Sequence, residues 1–293
     1  MTVGVYDGVH RGHRALLKRL RAEASRRGAR AVAVVFEPHP RCVLDPERCP
    51  PRLTAADARE TLIRRAGADA VVTLPFTREL SRWPAVQFCD ALIERLGMTV
   101  LVEGSGFAMG HAREGDLAFL RRHGHKRGFG VVEVEPGYHR GQPVSATRIR
   151  AALAAGRPGD AAAMLGRPYA LHGRVVAGEG MGRQLGYPTA NLQPDAGRCL
   201  PGIGVYAGWF DAGEGWRPAA ISVGVRPTFG AENPLTVEAY VLDFDGNLYE
   251  RRARIAFVRR LREERRFSSE EDLRAAMAHD VARTRAVLGQ PPP

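Results

Sequence analysis

Five short apolar runs, at residues 2–6, 31–36, 70–74, 99–103 and 130–134, alternate with helical periodicity near 13–27, 54–65, 84–96 and 115–122. Parallel strands need long crossovers, and a crossover helix must bury one face, so this alternation predicts a parallel sheet covered by helices on both sides. The helix near 13–27 illustrates the pattern: Leu16, Leu17, Leu20 and Ala24 share one side and arginines occupy the rest. Past residue 155 the period changes. Gly156, Pro158, Gly159, Gly166 and Pro168 punctuate a stretch, 156–168, that reads as a linker around one small helix at 159–165. Short strands follow near 170–177, 204–210, 218–223, 235–243 and 253–259, separated by Gly and Pro turns, as in a small antiparallel barrel or sandwich. A last helix, about 269–288, opens with Ser268 or Ser269 as its cap and Glu271 and Asp272 in its first turn. The tail 290–293 reads as frayed.

Composition sets limits. Of the 293 residues 44% are apolar, enough for packed cores, which excludes wholesale disorder. The longest apolar stretches, at 31–36 and 70–76, fall far short of the roughly 20 residues a bilayer demands, so no membrane span is expected. Asp7 and His10 stand where the apolar part of a secretory signal would lie. Cys42, Cys49, Cys89 and Cys199 show neither C-x-x-C pairing nor the density of a disulfide scaffold, and read as reduced thiols of a cytosolic protein. The formal net charge is +11, and of the basic residues only Lys18 and Lys126 are lysines. An arginine skew of that kind, with abundant Ala, Gly and Pro, looks like codon bias. Solvated faces and anionic small molecules account for it better than nucleic acid does.

The segment GVYDGVHRGH at 4–13 carries the first site. A strand ends in a Gly-rich turn, and His10 and His13 then arrive at a helix start, where free N–H groups and the macrodipole favour an anion. Such a place can hold the phosphates of a nucleotide; a pair of capping surface histidines is the plainer alternative, and zinc lacks a third ligand nearby. The segment resembles the H-x-G-H motif of the nucleotidyltransferase superfamily, in the form used by bacterial FAD synthetases. The similarity continues through VFEPHP (35–40), PFTRELS (75–81) and VSATRIR (144–150). The resemblance implies nucleotide-binding roles for Gly4, Asp7, His10, His13, Thr147 and Arg148, with Tyr6 in place of the motif's Phe. The chain also departs from the pattern. The flavin-side motif G-x-D-F-x-F-G reads GSGFAMG at 104–110, so Gly106 replaces a carboxylate and Met109 an aromatic; Ala112 stands for an Asn, and a Ser-Ser pair reads Ser145-Ala146.

The segment GRVVAGEGMGRQLGYPTANL at 173–192 carries the second. Its glycines, Gly178, Gly180, Gly182 and Gly186, do not fit a dinucleotide fingerprint, and no helical periodicity follows. If 189–191 is extended, Thr189 and Asn191 share a face, and their hard oxygens suit Mg²⁺ between protein and ATP. A hairpin with an Asx turn is the structural alternative. On the strand TVEAYVLDF at 236–244, Val237, Ala239 and Val241 make one face, while Thr236, Glu238, Tyr240 and Leu242 make the other. A carboxylate there needs solvent, a partner or a function. Residues 170–288 resemble the riboflavin kinase module of bifunctional FAD synthetases, through GMGRQLGYPTANL, PGIGVYAGW, SVGVRPTFG, TVEAYVLDFDGNLYE and FVRRLREERRFSS. The resemblance implies Glu238 as the general base, and Thr189 and Asn191 as holders of Mg²⁺ and phosphate. It also implies nucleotide contacts at Gly178, Gly180 and Gly182, and a flavin or phosphate contact at Arg262. Arg226 stands where related patterns often have Asn.

Together these resemblances imply an α/β plus all-β protein. A Rossmann-like nucleotidyltransferase domain would span 1–155, and a riboflavin kinase-like β-barrel with a terminal helix 169–293. The implied chemistry is phosphorylation of riboflavin to FMN and adenylylation of FMN to FAD, with Mg²⁺, ATP, riboflavin, FMN and FAD as cofactor, substrates and products. A kinase with a degenerate or retargeted first module is the alternative, motivated by Gly106, Ala112 and Ala146. A basic nucleic-acid-binding protein is the remote one. The expected partners are small molecules, with no nucleic acid or membrane, in the cytoplasm; no oligomeric state follows from the sequence.

Overall fold

The computed structural model describes residues 1–178, 180–225 and 235–289. The chain folds into two compact units, Met1–Ala146 and Thr147–Pro293. This boundary falls before the expected one at 155.

In the first unit the strands are β1 (Thr2–Gly4), β2 (Val32–Glu37), β3 (Ala70–Pro75), β4 (Val100–Gly104) and β5 (Gly130–Val134). β2 lies between β1 and β3, and β4 pairs with β5, all in parallel. Two backbone bonds from Met1 bring β4 alongside β1, giving the order β3-β2-β1-β4-β5. The helices α1 (Arg11–Arg26), α2 (Ala56–Arg65), α3 (Ala85–Leu96) and α4 (Leu117–Arg127) supply the crossovers. Strand alternation explains both cores. Ala33 and Val35 on β2, with Val100 and Val102 on β4, pack against Leu16, Leu17 and Leu20 of α1. Val34 and Leu101 point the other way, onto Phe88 and Leu92 of α3 and Leu120 of α4. Gly97 and Gly128, in the left-handed conformation, terminate α3 and α4.

The second unit begins in the first turn of α5 (Ala146–Ala154), followed by α6 (Pro158–Leu165). α6 is the small helix expected near 159–165, but its stretch is no free linker: Ala161, Met164 and Leu165 are buried. Among the described residues six antiparallel strands close into a barrel: β6 (Tyr169–Val176), β7 (Ala190–Pro194), β8 (Gly204–Asp211), β9 (Arg217–Val225), β10 (Leu235–Val241) and β11 (Arg252–Arg262). Their order around it is β6-β7-β10-β9-β8-β11. Closure removes the sheet edges and fills the interior with side chains such as Tyr206 and Phe257, whose rings meet edge to face at 5.4 Å. A terminal helix, α7 (Glu270–Val287), packs on the barrel, and Ser269, not Ser268, caps it by accepting from the Asp272 N–H.

Several expectations are corrected. β7 was not among the expected strands: the alternation of Ala190 and Leu192 with Asn191 and Gln193 is too short to signal a strand, and the ladders to β6 and β10 make it. A one-turn helix, Met181–Gln184, occupies the Gly-rich segment where no helical periodicity is visible. Leu242 is buried instead of sharing the Glu238 face, because β10 ends at Val241 and the alternation stops there. The expectation of four reduced thiols fails. Cys42 and Cys49 form a disulfide, since the short helix Pro40–Leu44 and the turn after it bring their Cα atoms to 4.3 Å. Cys89 and Cys199 stand outside the bridge as buried thiols. The tail 290–293 and Arg226, within 226–234, lie outside the described residues. No described helix is long and apolar enough to cross a membrane.

Two outcomes are expected. Denatured without reductant, the chain should titrate two thiols, Cys89 and Cys199, and four only after reduction; four from the start would show the bridge is absent. Ser269→Ala should lower unfolding stability by about 1 kcal/mol in a denaturant titration, because the Asp272 N–H loses its cap.

Candidate active sites of the two units

In the first unit the chain leaves β1 at Gly4 and turns sharply before α1. Asp7 fixes this turn from beneath. Its carboxylate is 5% exposed and accepts from the Leu53 N–H at 3.0 Å and the Thr54 N–H at 3.1 Å. The Thr54 hydroxyl in turn accepts from the Gly8 N–H at 2.7 Å. Asp7 is thereby a brace for the turn; its predicted part in nucleotide binding runs through the backbone it positions. His10 is the N-cap of α1, and its Nδ1 accepts from the His13 N–H at 3.3 Å. The two imidazoles stack with centroids 3.6 Å apart. Gly12 makes room for this, since a Cβ there would lie 3.2 Å from His10 Nδ1.

Burial holds the His13 pKa well below the ordinary value, and the charge of His10 pushes it the same way. His13 Nδ1 is buried with no hydrogen-bond partner among the described residues. With His13 held from protonation and stacked on His10 at a helix N-terminus, the site is arranged for an anion: an arriving phosphate offers His13 Nδ1 the partner it lacks among the described residues.

The histidines line a cavity of about 830 Å³. Gly4 lies on its wall, and so do Gly106, Met109 and Ala112, so the altered flavin-side segment faces the same space as the histidines. Gly106 has open space beside its Cα where the related motif carries a carboxylate. Thr147 and Arg148 stand in the first turn of α5 and are counted with the second unit; within the first unit they are not part of this wall.

In the second unit the register of the barrel assembles the site. Glu238 on β10 lies between Asn191 of β7 on one side and Ser222 of β9 on the other. Val237, Ala239 and Val241 turn into the barrel core, so Glu238 and Tyr240 turn to the opposite face. The Thr189 hydroxyl donates to Glu238 Oε2 at 3.0 Å. Gly178 keeps the Asn191 amide in place: a Cβ there would fall inside it. Gly182 admits the Tyr187 carbonyl in the same way, and Gly180 adopts φ 75° at the start of the one-turn helix. Tyr187 and Tyr240 meet edge to face at 5.3 Å. Gly180, Gly182, Thr189, Asn191, Glu238 and Arg262 line a cavity of about 250 Å³, and Gly178 lies outside its wall. Arg262 is held there by Asp280 of α7, to which its Nε and Nη2 donate at 3.0 Å and 2.8 Å.

Among the described residues no group of three His, Cys, Asp or Glu is placed to hold a metal ion. The barrel offers another donor set: a hydroxyl, an amide oxygen and a carboxylate in one cradle, hard ligands that fit Mg²⁺. Sequence reasoning found Glu238, Thr189 and Asn191. It missed Ser222, Asp280 and the Leu53–Thr54 amides, which are brought in by register and packing and carry no local signal.

An α/β unit with a histidine pair at a helix N-terminus, joined to a barrel with an oxygen-donor cluster, defines a two-module protein that handles nucleotide phosphates. Residues 1–148 match the family profile of FAD synthetase, and 165–288 that of riboflavin kinase. The chain is 42% identical to the bifunctional riboflavin kinase/FMN adenylyltransferase of Pseudomonas fluorescens, over 98% of this chain and 92% of that one. Its counterpart in Escherichia coli K12 is 34% identical over 99% and 92%. A crystal structure described as a macrolide-efflux protein from Streptococcus pneumoniae superposes with a TM-score of 0.90 at 26% identity, covering 97% of this chain and 93% of that one. The chain belongs to the family of bifunctional riboflavin kinase/FMN adenylyltransferases.

Asp7→Ala should destabilise the first unit by about 2 to 4 kcal/mol, because two buried backbone N–H groups lose their acceptor. Asp7→Asn, which keeps one acceptor oxygen, should cost less. Denaturant midpoints compare the two, and equal losses would contradict the bracing role.

Proposed function

We propose that the chain converts riboflavin to FAD in two ATP-dependent steps, one in each unit. The observation that carries this is a cavity in each unit, the first lined by Gly4, His10 and His13 and the second by Gly180, Gly182, Thr189, Asn191, Glu238 and Arg262. In the barrel the 5′-hydroxyl of riboflavin attacks the γ-phosphorus of ATP in line, ADP leaves, and Glu238 accepts the hydroxyl proton. Thr189 and Asn191 hold Mg²⁺ with the ATP phosphates; when bound, the ion neutralises phosphate charge. The Thr189 hydroxyl donates to Glu238, which leaves its lone pairs for the ion and orients the carboxylate. Arg262, anchored by Asp280, presents a fixed positive charge at the cavity wall. Positioning and charge neutralisation dominate such transfers.

In the first unit a phosphate oxygen of FMN attacks the α-phosphorus of ATP and pyrophosphate leaves. His10 and His13, at the positive end of the α1 dipole, stabilise the charge that gathers on the phosphates. Thr147 and Arg148 take a nucleotide-binding role by their match to the family motif. Gly106, Met109 and Ala112 alter the flavin wall without touching the histidine pair. We place the protein in the cytoplasm, the compartment of its nucleotide co-substrate; two buried thiols fit that setting, and the Cys42–Cys49 bridge marks a departure from it.

Supplied with riboflavin, ATP and Mg²⁺, the chain should yield FMN and then FAD, separated by chromatography. FMN accumulating without FAD would overturn the adenylyl-transfer step, and absence of FMN the kinase step. Glu238→Gln should lower riboflavin phosphorylation by about 10²–10⁴-fold with FAD formation from supplied FMN unchanged, the range removal of a general base costs. Undiminished phosphorylation would end the base assignment.

A further inference from the structure

Glu103 closes β4 and is 2% exposed, yet it lines the same cavity as His10, His13 and Gly106. β1 and β4 are the neighbours at which the strand order reverses, and parallel sheets bind ligands in that crevice. Two backbone bonds join these strands: Met1 N–H to the Val100 carbonyl at 2.6 Å, and Val102 N–H to the Met1 carbonyl at 2.9 Å. The next donor along β1, the Val3 N–H, turns instead to Glu103 Oε1 at 2.6 Å. The Thr2 hydroxyl donates to the same oxygen at 3.2 Å and lies 2.5 Å from the Tyr6 hydroxyl. The Tyr6 ring is 4.8 Å from that of His13, which stacks on His10. A side chain thus replaces a rung of the ladder where the strands part. Continuous contacts run from it to the histidine pair, through the hydroxyl by which Tyr6 differs from the Phe of the related motif.

We infer that Glu103 is a positioning residue for adenylyl transfer: it sets the spacing of β1 and β4 at the crevice and, through Thr2 and Tyr6, holds His13 against the ATP phosphates. This rests on the adenylyltransferase reading of the first unit. Burial pushes the Glu103 carboxyl up to about 8, so it is neutral near pH 7. A neutral acid accepts from Val3 and Thr2 without repelling ATP and FMN, whereas its ionised form would set a negative charge beside them. The groups that face it are the Met1 amino group on the β1 side, lowered by burial to about 6, and the Tyr6 hydroxyl, raised by burial and by Glu103 itself. His13 stands behind Tyr6, and Glu135, past the end of β5, lies on the same cavity wall.

The test uses the full chain and reads riboflavin phosphorylation as an internal control. Glu103→Val removes the acceptor and should lower kcat for FAD formation from FMN by about ten- to a hundredfold, the scale of a small misplacement of catalytic groups, with phosphorylation unchanged. Glu103→Gln keeps an acceptor oxygen and should rescue the rate at pH 7. Wild-type FAD formation should fall as pH rises through about 8, and the Gln variant should lack that fall. FAD formation by the Val variant at the wild-type rate would overturn the inference. An identical alkaline fall in the Gln variant would overturn it too, and this profile decides the matter if the Val variant fails to fold. A wild-type chain that makes FMN but no FAD would instead remove the adenylyltransferase reading, and this inference with it.

Discussion

A strand sends successive side chains to opposite faces, and both units build on that constraint. On β4 it sends Val100 and Val102 to one helix layer and Leu101 to the other, which lets a single sheet support two cores. On β10 it turns Val237, Ala239 and Val241 inward and leaves Glu238 outward between two neighbouring strands. A shift of one residue in either strand would exchange core and site. Burial of the apolar set therefore fixes the position of the chemistry.

The two sites solve one problem, phosphate charge, by different means. The first uses the N-terminal end of a helix: α1 begins at the histidine pair, and the turn before it is held by a buried carboxylate on the Leu53 and Thr54 amides. The second uses side-chain oxygens in a rigid barrel, with glycines at 178 and 182 where larger residues would strike Asn191 or the Tyr187 carbonyl. Closure leaves the barrel without exposed ladder edges, so loops and α7 can carry contacts such as Arg262–Asp280 without disturbing the wall.

Much of this was legible in the residues. Repeated apolar runs at crossover spacing are a local, many-residue signal, and β2 to β5 and α1 to α4 lie close to where periodicity put them. The motif residues stood out for a different reason: His10, His13, Thr189 and Asn191 sit among glycines or beside a proline, and Glu238 is a carboxylate on a mostly apolar strand. The misses share a cause. β7 exists through its neighbours' ladders, and the Cys42–Cys49 bridge through a turn that local spacing does not announce.

The sequence by itself determined the two architectures and the family, because each is written in short-range pattern. Only the tertiary structure decided which partner each residue meets. It gave Asp7 to backbone amides, set Glu238 beside Thr189, Asn191 and Ser222, and placed Glu103 in the crevice between β1 and β4. These pairings join residues some 16 to 100 positions apart, and register and closure of the chain, not local propensity, choose among them.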